Sequence, residues 1–231
     1  MLWHKLEYQG LLDYLGSTRG VNVVVLVLCF ILVAVQAYLL GSLNFALIIS
    51  KLKFRDDIRK YGSGNAGMTN MLRTYGKAAA AFTLLGDAAK AALAIAVGGL
   101  LCGMIGAYIA GFFCILGHMY PLYYKFKGGK GVVTSAVMVL MLDWRVFLVL
   151  LAVFLLIVAS TKYVSLGSIM CMLIYPLLLY RFTGPGINII FAFAIAVLVI
   201  FKHRDNIQRL LERRENRISF GKKKSSSGRE E

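Results

Sequence analysis

Residues Val21–Ile49 form 29 consecutive positions without a charged side chain. A helix needs about 20 residues to cross the hydrocarbon of a bilayer. Inside lipid every backbone N–H and C=O must find a partner within the protein, so only helices and closed barrels span it. The run is continuous rather than alternating, which selects a helix and argues against a barrel. It is too long for a signal peptide and has no convincing small-residue cleavage site, so it is retained. Further apolar stretches follow at Ala78–Leu101, Met104–Tyr120, Val132–Leu142, Val146–Ser160, Val164–Tyr180 and Ile187–Phe201. Val132–Leu142 is too short to cross alone; it needs a helix that starts in the preceding loop, or neighbours that pack a partial span. The expected fold is therefore an all-α polytopic membrane protein of about seven transmembrane helices, with five or six as the lower count. A membrane domain over 21–217 follows an N-terminal extension, 1–20, and precedes a polar tail, 218–231, of low complexity and expected disorder.

The formal charge of +15 raises the question of nucleic acid, and its distribution answers it. Seven Lys and Arg lie in 51–77, three in 121–131, one in 161–163 and ten in 202–231. Only Lys5, Arg19, Arg145 and Arg181 fall in the alternate segments, and Lys90 sits inside a span. The positive-inside rule then puts the N-terminus outside and the C-terminus in the cytoplasm, which requires an odd number of helices. The basic surplus is topology and attraction to anionic lipid heads, and no nucleic-acid partner is expected. Cys29, Cys102, Cys114 and Cys171 lie in or beside apolar spans without metal-ligand spacing, so they read as buried thiols.

Two glycine-rich loops interrupt the apolar stretches. In 62–73, GSGNAGMTNMLR, Gly62, Gly64 and Gly67 permit close approach of the main chain to a ligand. Ser63, Asn65, Thr69 and Asn70 offer short donors, and Arg73 offers a planar cationic fork suited to phosphate. A polar turn capping the next helix explains any one of these residues, but not the whole run ending in arginine. In 126–131, FKGGKG, Gly128, Gly129 and Gly131 surround Lys130 just before an apolar stretch. Amides there are expected to face an anion at a helix N-terminus, where the dipole adds partial positive charge. For Lys125 alone a topology-setting charge is the better reading. The loop lacks the Gly-Lys-Ser/Thr ending of a Walker motif, so a nucleotide triphosphatase is not supported.

A third cluster, 203–217, begins as the last span leaves the membrane. Most of its charges read as an interfacial amphipathic helix. His203 and Asn206, three apart, share a face able to turn toward the two loops. Asp87 and Lys90 sit within an apolar stretch at i, i+3, where an internal ion pair is at least as good a reading as a catalytic role.

These motifs resemble those of the bacterial acyl-phosphate:glycerol-3-phosphate acyltransferases of the inner membrane. The resemblance rests on GSGN-x-G-x-TN-x-x-R at 62–73 with its Asp57-Ile-Arg59 lead-in, on GH-x-x-P followed by FKGGKGV at 117–132, and on HRDN-x-x-RL at 203–210. It runs from about Leu39 to Glu215. It implies seven helices and transfer of an acyl group from acyl phosphate to sn-glycerol 3-phosphate, giving lysophosphatidic acid and phosphate for phospholipid synthesis. By the likeness, Ser63, Arg73, Lys130, His203 and Asn206 are catalytic. Gly62, Gly64, Asn65, Thr69, Asn70, Gly128, Gly129 and Gly131 bind substrate, with no metal and no cofactor. The implied setting is the bacterial inner membrane, the site facing the cytoplasm, among membrane lipids and with the soluble enzyme that makes acyl phosphate as a partner. Met68 stands where the family commonly has Ala, Asp205 where it has Glu, and Glu212-Arg213 where Thr-Gly is frequent.

On this reading Arg73, Ser63 and the asparagines take glycerol 3-phosphate, while Lys130 and the GGKG amides take the acyl-phosphate head. His203 has the intrinsic pKa of a base; the alternative is that it orients substrate and the departing phosphate takes the proton. No histidine is followed five residues later by Asp, so the His-x-x-x-x-Asp signature of acyl-CoA-using enzymes is absent. A phosphate or organic-anion transporter is the rival class, and a non-catalytic scaffold for anionic lipid is a third.

Overall fold

The computed structural model describes residues 23–218, and every regular element among them is helical. The extension 1–20 and all but the first residue of the tail 218–231 lie outside the described residues. In chain order the elements are α1 (Val23–Ser42), α2 (Phe45–Phe54), α3 (Met68–Met119), α4 (Val132–Leu142), α5 (Trp144–Thr161), α6 (Val164–Thr183), α7 (Ile187–Lys202) and α8 (Arg204–Leu211). Single 3-10 turns, Ile58–Lys60 and Leu122–Tyr124, shape the loops before α3 and α4.

Among the described residues, each apolar stretch read from the sequence falls almost wholly in helix. Val23–Phe54, Met68–Tyr124, Trp144–Thr161 and Val164–Thr183 are long and apolar enough to cross a bilayer, and α7 with α8 makes a fifth if that bent pair is one span. The first stretch is not one uninterrupted helix. It breaks at Leu43–Asn44, where Asn44 Oδ1 accepts from Leu47 N (3.1 Å) and starts α2 afresh.

The 52-residue α3 is three rods rather than one. Gly76 (φ 84°) and Gly103 (φ 62°) take left-handed backbone that a side chain would strain. At Gly103 the chain doubles back, so rod 104–119 packs on rod 77–101. A Cβ on Gly98 would lie 2.5 Å from Gly106 O and 2.6 Å from Ala110 Cβ. Helix α1 packs on rod 104–119 as well, where side chains at Gly41 and Gly117 would overlap the backbone of Cys114 and Tyr38. Small residues thus let three helices approach closely where burial from water supplies little drive. The main core beside them joins Ile115, Met119, Met138, Val146, Tyr175, Leu179, Ile195 and Val199, from α3 through α7.

The expected ion pair inside the second stretch is present. Lys90 Nζ lies 2.6 Å from Asp87 Oδ1, 2.8 Å from Leu43 O and 3.0 Å from His118 Nδ1. An ammonium has three donors, and all three are used. Both side chains are buried, so removing one partner strands the other charge. Replacing Asp87 with Ala is expected to lower stability by about 3 kcal/mol. Adding Lys90→Met to that variant should restore at least half of the loss in thermal unfolding in detergent; no restoration would show that the two charges do not depend on each other.

Candidate active site

Both glycine loops and the third cluster meet at one end of the helix bundle. The first loop is tied down before it reaches the site. Asp57 starts the 3-10 turn by accepting from Arg59 N (3.0 Å). The Arg59 guanidinium then pairs with both Asp57 oxygens and reaches across to Lys127 O (2.9 Å) and Tyr124 O (3.3 Å) of the second loop. Asn70 is buried beneath the loop. Its amide donates to Ile58 O, Tyr61 O and Asn65 O at 2.9–3.2 Å, and its oxygen accepts from Ser63 N at 3.0 Å. Gly62, at φ 58°, leaves room for that oxygen. Asn70 therefore shapes the loop with groups that the sequence reading assigned to a ligand.

The second loop needs a similar correction. Gly128 N donates to Met119 O (3.3 Å) and Gly129 N to His118 O (3.0 Å), so these amides close the end of α3 instead of facing an anion. A side chain at Gly128 would overlap His118 O, one at Gly129 would overlap His118 Nε2, and one at Gly131 would press on Met119. These glycines serve close packing, and none of the three lines the cavity described next. The amides left for an anion are those of the first turn of α4, at Val132–Thr134, which have no acceptor within the helix.

Above these supports lies a cavity of about 130 Å³. Ser63, Asn65, Thr69, Asn70 and Arg73 line it from the first loop and the start of α3, Lys130 from the second, and His203 and Asn206 from the third cluster. Gly64 borders a second polar recess of about 120 Å³ on the far side of Lys130 and Asn206, together with Lys202, Arg204 and Arg209. The chain bends 57° between α7 and α8, and His203 is the corner. That bend turns His203 and Asn206 inward while α8 leaves along the surface.

Hydrogen bonds set the electrostatics. Lys130 Nζ contacts Asn206 Oδ1, and Asn206 Nδ2 donates to Glu215 Oε1 (2.8 Å). Glu215 also accepts from Ser165 Oγ (2.9 Å) and pairs with Arg209 Nε (2.8 Å). Burial alone would raise the Glu215 carboxyl, but Arg209, Asn206 and Ser165 outweigh it and hold the group below its ordinary value. Burial, helped by the Arg209 charge, pushes the Lys130 ammonium down to about 8. Burial and the nearby Lys130 push His203 down to about 4. His203 Nδ1 sits 2.7 Å from Val199 O, which accepts only if Nδ1 carries the proton. The ring is thus a neutral imidazole near pH 7 with an unshared pair on Nε2. Arg209 is matched by Glu215, so Arg73 and Lys130 remain as two cationic charges not matched within the cavity lining.

Glu215, Arg209 and Ser165 were missed as site residues. Glu215 follows a run of mixed charge, and Ser165 begins an apolar helix; neither position carries a readable signal. Arg213, where the resembled family has small residues, takes left-handed backbone (φ 56°) in the turn that returns the chain toward Glu215.

The cavity also opens on an apolar groove of about 440 Å³ between α3, α4, α5 and α6. Met68, Val132, Val133, Phe154 and Ser168 line both. A pocket with two cationic groups beside an apolar groove, in a helical membrane protein, fits the class that handles lipid phosphates, molecules with an anionic head and a hydrocarbon tail. The glycerol-3-phosphate acyltransferase family matches residues 31–213, and the chain belongs to that family as an integral membrane acyltransferase. It is 41% identical to a glycerol-3-phosphate acyltransferase of Carboxydothermus hydrogenoformans over 192 residues, covering 83% of this chain and 98% of the relative. It is 43% identical to one of Thermoanaerobacter pseudethanolicus over 188 residues, covering 81% and 95%. Its fold matches the crystal structure of PlsY (YgiH), an integral membrane glycerol 3-phosphate acyltransferase in its glycerol 3-phosphate form. That match has a TM-score of 0.78 at 36% identity and covers 82% of this chain and 96% of that one.

Two measurements check the electrostatics and the loop clamp. Lys130 is charged below a pKa of about 8 and neutral above it, so affinity for inorganic phosphate, read by titration calorimetry, should fall as pH rises from 8 to 10. Lys130→Met should bind more weakly throughout and lose that dependence. Arg59→Met uncouples the two loops and should lower kcat/KM by about 10²-fold, the scale of a small displacement at a reacting centre. Unchanged turnover in this variant would rule out the clamp.

Proposed function

We propose that the chain transfers an acyl group from acyl phosphate to sn-glycerol 3-phosphate, forming 1-acyl-glycerol 3-phosphate and inorganic phosphate. The observation that carries this reading is the joining of the polar cavity to the apolar groove at Met68, Val132, Val133, Phe154 and Ser168. An acyl phosphate has one end suited to each compartment, and its reactive carbonyl lies between those ends. The glycerol-3-phosphate acyltransferase relatives, and the PlsY structures holding glycerol 3-phosphate and lysophosphatidic acid, support the same substrate and product.

In this mechanism Arg73, Ser63 and Asn65 hold the phosphate of glycerol 3-phosphate, with Thr69 beside them. Lys130 and the first-turn amides of α4 hold the acyl-phosphate head and stabilise the phosphate as it departs. Asn206 positions Lys130. A bond forms between the glycerol hydroxyl oxygen and the acyl carbon, and the bond from that carbon to the phosphate oxygen breaks. His203 Nε2 accepts the hydroxyl proton transiently and passes it to the departing phosphate. Its basicity, lowered by burial and the nearby Lys130, suits a relay that returns the proton rather than a strong base. Much of the rate comes from holding an already activated donor against its acceptor.

The topology that goes with this activity is seven crossings, with rods 77–101 and 104–119 counted separately and α4 as a short crossing packed by its neighbours. The N-terminus is outside and the site faces the cytoplasm of a bacterial inner membrane. The charge distribution supports that orientation, and it leaves the site open to the soluble enzyme that supplies acyl phosphate. The position of the cavity at one end of the bundle speaks against a transporter, whose binding groups sit near mid-membrane.

Purified protein in detergent, given acyl phosphate and glycerol 3-phosphate, is expected to form lysophosphatidic acid and phosphate in equal amounts, and to ignore acyl-CoA. Absence of product with active relatives run alongside would refute the assignment. Lys130→Met and Arg73→Met should each lower kcat/KM by about 10³-fold. His203→Gln should lower kcat by about 10²-fold if the relay operates, and near-normal turnover would remove His203 from it.

A further inference from the structure

The corner between α7 and α8 sends three consecutive residues into two compartments. His203 lines the catalytic cavity, while Lys202 and Arg204, on either side of it in the chain, line the second polar recess of about 120 Å³. Ser63, Asn65, Lys130 and Asn206 line both. Lys130 and Asn206, joined to each other, thus form a partition between cavity and recess. The transfer step described above does not use the recess.

The charges of the recess are poorly matched. Lys202 Nζ meets a carbonyl, Met119 O (3.3 Å), and the face of Tyr120 (4.5 Å to the ring centroid) rather than a carboxylate. Arg204 approaches Asp205 at 3.7 Å with both side chains more than half exposed, a contact worth little in water. Arg209 is paired with Glu215. Four cations, Lys130, Lys202, Arg204 and Arg209, therefore face two carboxylates even when Glu215 is counted. The exposure of Arg204 and Asp205 puts this end of the site at the protein surface.

Acyl transfer leaves two phosphates side by side, that of lysophosphatidic acid and the free one. Each carries about −1.5 to −2 charges near pH 7. The cavity has only Arg73 and Lys130 unmatched to meet them. Like charges held that close repel, and more so where water is excluded. The recess offers the free phosphate a way out that keeps Lys130 as a neighbour and gains Lys202 and Arg204. We infer that the recess is a second phosphate site, which takes up the inorganic phosphate released by acyl transfer on its way to solvent. No bond forms or breaks there; the ligand is a small phosphate dianion held by Lys202, Arg204 and the shared Lys130. The inference rests on the acyl transfer proposed above, which supplies the phosphate.

Inorganic phosphate added to the assay is expected to inhibit the original protein. In the double variant Lys202→Met/Arg204→Gln its inhibition constant should rise by about tenfold, the scale of losing hydrogen bonds to charged groups, while KM for glycerol 3-phosphate changes less than twofold. An unchanged inhibition constant overturns the inference. So does a KM that rises in step, since the recess would then belong to the glycerol 3-phosphate site. Arg204→Gln alone, at an exposed side chain that folding does not need, should raise the constant about threefold. Calorimetry gives a reading free of turnover. Arg73→Met removes a cation from the cavity and none from the recess, so it should still bind one inorganic phosphate. Adding the two recess substitutions to it should weaken that binding at least tenfold; equal binding overturns the inference. An anionic lipid head is the other source of phosphate. Phosphatidylglycerol added to the detergent micelles should leave phosphate inhibition of the original protein unchanged, and relief of that inhibition would assign the recess to lipid and overturn the inference. If the original protein forms no lysophosphatidic acid, acyl transfer fails on its own account, and calorimetry still decides whether the recess binds phosphate.

Discussion

A single ammonium group, that of Lys90, ties together three helical segments beneath the site. Its acceptors come from the break between α1 and α2, from its own rod of α3, and from the end of the next rod. A lysine in an apolar interior is costly unless its charge and all its donors are met, and here they are. The arrangement also places the last turn of rod 104–119, whose His118 carbonyl receives the Gly129 amide and so sets the second loop. Stability and site geometry thus share one network. Loss of its charge balance would shift the loop as well as loosen the bundle.

Above that network the chemistry follows from contrasts between neighbours. Arg209 is neutralised by Glu215, whereas Arg73 and Lys130 are left to meet anions. Burial holds the Lys130 ammonium down to about 8, so an anion placed beside it would favour its charged form. The apolar groove begins where these charges end, at Val132 and Val133, which line both compartments. A site of this form selects a molecule with an anionic head and a hydrocarbon tail, and puts whatever joins them at the boundary.

Much of this was legible in the chain. Long charge-free runs can only be helices in lipid, and each of them is helical. The pairing of Asp87 with Lys90 was readable because an unpaired charge there is too costly to persist. Ser63, Arg73, Lys130, His203 and Asn206 were singled out by residue type, and all five line the cavity. The Gly128 and Gly129 amides, expected to face an anion, are engaged by backbone carbonyls instead. Residue type shows that a group can donate or approach closely, but not whether backbone nearby has already engaged it. Glu215 and Ser165 were invisible because their partners lie on other helices.

The sequence by itself determined the helical membrane architecture, the grouping of basic loops and the residue types of an anion site, since each depends on local composition acting against lipid or phosphate. Tertiary structure alone decided which amides stay free, how α3 divides at Gly76 and Gly103, that the polar cavity continues into an apolar groove, and that Nδ1 of His203 holds its proton. These are matters of distance between segments far apart in the chain. Hydrogen bonds and desolvation change over a few tenths of an ångström, a scale that only packing sets.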